Sequence, residues 1–262
     1  MISHIPSYIR DIRNYLHKNP DKKLPRHVAV IMDGNGRWAK KIGKDRLYGH
    51  REGMNSIRSV VSAAAKLNIP YLTLYAFSTE NWRRPQSEIT ALFNLLKYFC
   101  KKELTKFVEK NIRVIFIGRT QKLPANVQYY MRKTLNATKN STGMTLVIAL
   151  NYGGQQEIID AVKKALKNPE LVKDPDKIDE TTFTDLFYAP DLPPVDFMIR
   201  TSGEYRISNF LTYQIAYAEL FFSPLLWPEF KEKEFLVAIK EYLKRSRRFG
   251  GLGSVSGKGQ NL

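Results

Sequence analysis

The residues best suited to chemistry form a run, Asp33-Gly34-Asn35-Gly36-Arg37-Trp38-Ala39-Lys40. Gly34 and Gly36 allow a tight backbone and close approach of a ligand. Backbone N–H groups at the start of a following helix can face an anion. Arg37 can clamp a phosphate with two parallel hydrogen bonds. Asp33 would repel a bare phosphate, but it fits a site where Mg²⁺ bridges a carboxylate and substrate phosphates. The competing reading is a capped helix start, with Asp33 or Asn35 as the cap. The run also spells G-x-G-x-x-A, a weak match to the dinucleotide fingerprint. The acid before the glycines, and Arg37 and Trp38 inside the loop, favour metal and diphosphate instead.

Four further segments carry compatible groups. Arg46 and His50 stand four apart and can share a helical face toward a phosphate. In Ser78-Thr79-Glu80-Asn81-Trp82-Arg83-Arg84-Pro85, Ser78 can cap a helix or contact phosphate, and Asn81 can orient or relay a proton. Arg200, Arg206 and Ser208 make a second anion-binding set. Glu219 sits in the apolar run Ala216–Phe222, where a carboxylate is costly to bury unless paired or metal-bound. A salt bridge to one of the arginines is the plainer account. No Ser–His–Asp set or catalytic cysteine stands out, and Cys100 lies on an apolar helix face as packing. Two diphosphates and one metal fit this inventory.

The elements that must position these groups alternate. Short apolar runs, at Val28–Met32, Tyr71–Phe77, Arg113–Ile117, Thr145–Leu150, Asp196–Ile199 and Leu220–Phe222, read as strands. Amphipathic segments at Met54–Leu67, Glu88–Lys110, Pro124–Leu135, Gln155–Leu166 and Lys231–Leu243 read as helices. Strands apolar throughout, alternating with helices, predict one α/β domain with a mostly parallel sheet covered on both faces. Such sheets bind ligands beyond the carboxyl ends of their strands, where these segments lie.

Composition narrows the class. The 262 residues include 42 Lys+Arg against 25 Asp+Glu, a net charge of +17, with 43% hydrophobic residues, so a folded domain rather than a disordered chain is expected. That charge suits nucleic acid, anionic membrane or phosphorylated substrates. The basic clusters Lys40/Lys41/Lys44 and Lys244/Arg245/Arg247/Arg248 lack interleaved stacking aromatics, which argues against nucleic acid. A single cysteine excludes a disulfide framework and a cysteine-held zinc, and points to a reducing compartment. No run reaches the roughly 20 apolar residues of a bilayer span, and the first 21 residues lack a signal-peptide core. A cytosolic protein is expected, with membrane contact at the cytosolic face.

Taken in order, His27–Lys40, Arg46–Gly53, Tyr75–Arg84, Asn151–Gly154 and Asp196–Pro228 resemble the cis-prenyltransferases, the undecaprenyl diphosphate synthase family. The resemblance spans about His27 to Gly251. It implies a parallel six-stranded sheet flanked by helices, an apolar tunnel and a homodimer. It implies Mg²⁺-dependent condensation of an allylic diphosphate, usually farnesyl diphosphate, with isopentenyl diphosphate units, making Z double bonds. By position, Asp33 matches the catalytic, metal-binding aspartate, and Gly34, Asn35, Gly36, Arg37 and Trp38 match the allylic diphosphate loop. Arg46 and His50 match phosphate-side positions, and Ser78, Thr79, Glu80, Trp82 and Arg84 match the flexible substrate loop. Asn81 matches the residue that takes the proton; Arg200, Arg206, Ile207 and Ser208 match the isopentenyl diphosphate site; Glu219 matches the second metal-linked acid. Ala76, Leu92, Phe93, Leu96, Val147 and Ile148 are candidates for the tunnel wall, each equally a core residue.

On this reading the chain divides into an amphipathic segment over 1–25, a catalytic domain over 26–251 and a flexible tail over 252–262. The segment from Ile5 to His17 covers the tunnel mouth or touches membrane, and Arg247–Gly251 approaches a second subunit's site. Tyr205 departs from the family, where many members carry His. The helix from Glu88 lacks the insertion typical of very-long-chain members, which favours a C50–C55 product serving as carrier lipid for cell wall or glycan synthesis. A shorter-chain synthase and a non-catalytic partner subunit are the alternatives; the latter usually lacks loop residues that this chain has.

Overall fold

A computed structural model describes residues 7–245. Along the chain run α1 (Ser7–Lys18), β1 (His27–Ile31), α2 (Asn35–Lys41), α3 (Arg46–Lys66), β2 (Tyr71–Ser78), α4 (Gln86–Glu109), β3 (Arg113–Ile117) and α5 (Ala125–Thr138). Then follow β4 (Thr145–Tyr152), α6 (Gly154–Ala165), α7 (Pro169–Lys173), α8 (Glu180–Asp185), β5 (Phe197–Arg200), β6 (Glu219–Phe222) and α9 (Glu232–Lys244). The strands form one six-stranded sheet in the order β3-β4-β2-β1-β5-β6, and every pairing is parallel. The expected single α/β layer architecture is therefore present.

Alternation along the strands divides the core into two layers. Val28, Val30, Leu72, Leu74 and Ile148 face a cluster completed by α1, α3, α4, α5 and α9. Ala29, Ile31, Val147, Ala149 and Met198 face the other, which Phe210, Leu211 and Ile215 close. Val147 is thereby excluded from the cavity wall expected of it. Adjacent residues on a strand point to opposite faces, so Val147 and Ile148 cannot share one.

The helix expected from Met54 begins eight residues earlier, at Arg46. Asp45 caps it by accepting a hydrogen bond from the Tyr48 N–H at 2.8 Å. Gly49 and Gly53, poor helix formers, serve packing here: a Cβ at Gly49 would lie 2.0 Å from the Asn35 carbonyl oxygen, and one at Gly53 2.4 Å from Asn35 Oδ1. The loop after β1 can thus sit directly on α3. At β2, two steps from Tyr75 to Phe77 match one step from Ala149 to Leu150 on β4. This bulge leaves Ala76 without a register partner and turns the strand end toward the cavity described below.

The amphipathic face of α1 is consumed by the core. Ile9 and Ile12 are buried, contributing roughly 1.5–3 kcal/mol each. Lys22 Nζ donates to the Arg245 carbonyl at 3.0 Å, tying the segment to the end of α9. The apolar side of this helix therefore does not face outward toward membrane. Among the described residues, no helix is long and apolar enough to cross a membrane. The expectations for Arg247–Gly251 and for the tail 252–262 lie outside the described residues.

Candidate active site

A cavity of about 590 Å³ opens where the carboxyl ends of β1, β2 and β5 meet. Its polar end is lined by Asp33, Asn35, His50, Ser78, Glu80, Asn81, Arg84, Arg200 and Ser208. Its other end is apolar, walled by Leu92, Phe93, Leu96 and Phe99 of α4 with Ala76 and Ile148. The size is typical of small-ligand sites, and the division into a charged end and an oily end suits an amphiphile.

Asp33 lies two residues past the end of β1. Its backbone N–H donates to Thr201 Oγ1 at 3.0 Å, and the Thr201 hydroxyl donates to the Asp33 carbonyl at 2.7 Å. Thr201, which the sequence did not mark, thus fixes the backbone of the key carboxylate. The side chain accepts from Gly34 N at 2.7 Å and from Arg200 Nη2 at 2.8 Å, and Arg37 Nη2 stands 3.4 Å away. Gly34 has φ of +102°, and a Cβ there would lie 2.8 Å from Leu226 Cδ2. Burial pushes the Asp33 carboxyl up, but the bond and charge of Arg200, with Arg37 and the Gly34 N–H, more than offset it. The group stays below the usual carboxylate range and is charged at neutral pH.

Arg200 is buried, as the last residue of β5. Besides Asp33 it donates to the Arg206 carbonyl at 2.6 Å and to Ser208 Oγ at 2.7 Å, while its Nε has no partner. Arg200 thus meets the Ser208 side chain and the Arg206 backbone, whereas the Arg206 guanidinium is exposed and pairs with Glu204. Glu204 joins them: it accepts from Arg206 and stands 2.8 Å from Arg37 Nη1, linking the two basic groups. Arg37 also donates to Ser202 Oγ. Ile207 packs against the second core layer, and Tyr205 is exposed beside Phe222.

A third group gathers around Glu88. Its Oε1 lies 2.9 Å from Arg84 Nη1, 3.4 Å from Arg46 Nη2 and 3.8 Å from His50 Nε2. Sequence reasoning identified the two arginines and the histidine and missed the carboxylate that collects them. The only available signal was Glu88 four residues after Arg84 at a helix start. His50 is pulled down to about 4, chiefly by burial and then by Arg84, with Glu88 opposing. It is neutral at pH 7, and its Nε2 is buried without a hydrogen bond. Asn35 Oδ1 is likewise buried and unpartnered. Together with Arg200 Nε, these buried unpartnered polar atoms border the cavity and suit a polar ligand there.

The turn Thr79–Arg83 closes the cavity from the β2 side. Asn81 Oδ1 accepts from Ser78 N at 3.1 Å, and Thr79 Oγ1 donates to Glu80 Oε1 at 3.1 Å. Trp82 remains partly exposed and donates from Nε1 to Asn151 Oδ1 at 2.7 Å. Trp38 instead stacks on Tyr48, with centroids 6.1 Å apart.

Glu219 is not brought to Asp33. It is the first residue of β6, in register with Phe197 at the amino end of β5, three positions or about 10 Å from the level of Arg200. It accepts from Arg245 at 2.9 Å. Within this chain Glu219 is paired with Arg245 and does not stand beside Asp33. A parallel strand carries its first residue to the end of the sheet away from the site. Among the described residues, no group of three or more His, Cys, Asp or Glu side chains could hold a metal. The charged Asp33 carboxylate does fit a Mg²⁺ ion whose remaining ligands are phosphate oxygens and water.

Residues 31–250 match the Prenyltransf family model, described as that of undecaprenyl diphosphate synthase. The chain is 46% identical over 231 residues to an isoprenyl transferase of Heliobacterium mobile, covering 88% of this chain and 89% of that one. It is 47% identical over 236 residues to a farnesyl-diphosphate-specific ditrans,polycis-undecaprenyl-diphosphate synthase of Buchnera aphidicola, covering 90% and 95%. Its structure superposes with a TM-score of 0.84 on lavandulyl diphosphate synthase from Lavandula x intermedia in complex with dimethylallyl diphosphate, at 33% identity and 87% and 98% coverage. It superposes with a TM-score of 0.72 on a "probable undecaprenyl diphosphate synthase" from Campylobacter jejuni, at 33% identity and 87% and 99% coverage.

Proposed function

The chain belongs to the undecaprenyl diphosphate synthase family of prenyltransferases, and on that premise we propose that it extends farnesyl diphosphate with isopentenyl diphosphate to a Z-polyprenyl diphosphate. The single observation that carries this reading is the cavity's two-part lining: arginines at the mouth, and the apolar side chains of α4 behind them.

Arg37, Arg46, Arg84 and neutral His50 would hold the diphosphate of the allylic substrate. Departure of that diphosphate develops negative charge, which fixed guanidinium groups stabilise in a partly dry site. Asp33 would hold a Mg²⁺ ion shared with the substrate phosphates, and the bound ion would supply further charge neutralisation. Arg200, Arg206 and Ser208 would seat isopentenyl diphosphate, with Arg200 already fixed by Asp33. The isopentenyl double bond forms the new C–C bond to the allylic carbon, and a proton leaves the adjacent carbon. Asn81, which lines the cavity, would receive or relay it. Holding both diphosphates in register supplies much of the rate advantage.

The growing chain would extend along Leu92, Phe93, Leu96 and Phe99. A product near C50–C55, a homodimer, and a cytosolic enzyme that yields carrier lipid at the membrane surface complete the reading. The test incubates the protein with farnesyl diphosphate, labelled isopentenyl diphosphate and Mg²⁺, beside an EDTA control, and sizes the products. A Mg²⁺-dependent ladder ending near C50–C55 is expected. No incorporation from farnesyl, geranyl or geranylgeranyl diphosphate would refute it.

A further inference from the structure

A second cavity, of about 480 Å³, lies beyond the carboxyl end of β3, on the far edge of the sheet from β6. Phe116, Arg119, Asp160, Lys163, Lys167 and Tyr188 are among its walls, together with Lys164. No residue assigned above to substrates lines it.

The charge is unbalanced. Arg119, Lys163, Lys164 and Lys167 surround one carboxylate, Asp160. Arg119 holds that carboxylate through two bonds of 2.8 Å, and the Tyr188 hydroxyl donates to it at 2.6 Å. The Arg119 bond, with the Tyr188 hydroxyl and the charges of Arg119 and Lys163, outweighs burial and lowers Asp160 to about 2, so it is ionised at neutral pH. Lys164 donates to the Leu186 and Phe187 carbonyls. Lys163 acts on Asp160 through its charge without a direct bond, and Lys163 and Lys167 both stand exposed at the cavity rim. Lys163 lies in the last turn of α6 and Lys167 two residues past its end, so both add positive charge to the cavity rim.

The wall is also pre-organised. Arg119 N donates to the Asn151 carbonyl at 3.1 Å, and Asn151 Nδ2 donates back to the Arg119 carbonyl at 2.9 Å. The Arg119 backbone is thus pinned to β4 while its guanidinium faces the cavity. Gly118, at φ of +113°, allows the turn: a Cβ there would lie 2.1 Å from the Leu150 carbonyl oxygen.

We propose that this cavity binds a phosphate-bearing ligand, held by Lys163, Lys167 and Arg119, at a site separate from the Asp33 cavity. The ring of Tyr188 and the side chain of Phe116 bound the space beside the phosphate. The proposal does not depend on the activity proposed above.

The probe is inorganic diphosphate, titrated by calorimetry without divalent metal. The double variant Lys163→Glu/Lys167→Glu should weaken one binding event by about tenfold or more. The variant Arg200→Ala should leave that event intact. The milder Lys163→Gln/Lys167→Gln guards against misfolding and should weaken it in the same direction. Binding that survives both lysine variants unchanged, or that disappears entirely with Arg200→Ala, would overturn the site. Competition by vesicles containing phosphatidylglycerol would assign the phosphate to a lipid headgroup; its absence would assign it to a free phosphorylated ligand.

Discussion

Arg200 Nη2 and Asp33 Oδ2 are 2.8 Å apart, joining the carboxyl ends of β5 and β1 across 167 residues of sequence. The pair keeps a buried guanidinium and the cavity's carboxylate in fixed relation. It also places the anion set of Arg200, Arg206 and Ser208 beside the one that includes Arg37.

Asp33→Ala should cost about 10³-fold in turnover, on the order of 4 kcal/mol of barrier. It removes the carboxylate proposed to hold Mg²⁺ and leaves Arg200 without its charge partner. Steady-state rates with both diphosphates measure it, and turnover within tenfold of the parent would contradict the role.

Glu88→Gln should release Arg46 and Arg84 from their common partner. The expected result is a KM for the allylic diphosphate raised about tenfold, with kcat changed by less than about threefold, as for lost ground-state positioning. His50, which Glu88 supports in its charged form, should titrate still lower by NMR.

Leu96→Trp places a large ring in the apolar half of the cavity and should shorten the longest product. Val147→Ala, on the opposite face of the sheet, should leave product length unchanged while costing about 1–3 kcal/mol of stability. Chromatographic sizing of both variants separates the two faces; a shortened product from Val147→Ala would contradict the assignment.

His27 predicts a pH dependence of stability. It is buried between the Pro193 carbonyl, 2.8 Å from Nδ1, and Thr73 Oγ1, 2.6 Å from Nε2. Burial lowers it to about 4 from 6.5. The unfolded chain therefore takes up a proton below about pH 6.5 that the native chain resists until about pH 4. Stability should fall across that window by about 3 kcal/mol from this residue. Urea denaturation at pH 7 and pH 4.5 measures the drop, and His27→Phe should make it smaller by about one proton's slope.

The amino-acid sequence by itself determined the alternation of apolar strands and amphipathic helices, and hence a parallel sheet with ligands at its carboxyl end. It also placed Asp33, Arg37, Asn81 and Arg200 in the segments just after strands, because a strand end and its following turn are local features. What only the tertiary structure decided is which groups from distant segments meet. Thr201 braces Asp33, and Glu88 collects Arg46, His50 and Arg84. Register sends Glu219 to the far end of the sheet and pairs it with Arg245. The pleat gives Ile148 to the cavity and Val147 to the opposite core. Periodicity reports on neighbours a few residues apart, whereas an ion pair or a cavity wall depends on how strands align and on which face a helix covers.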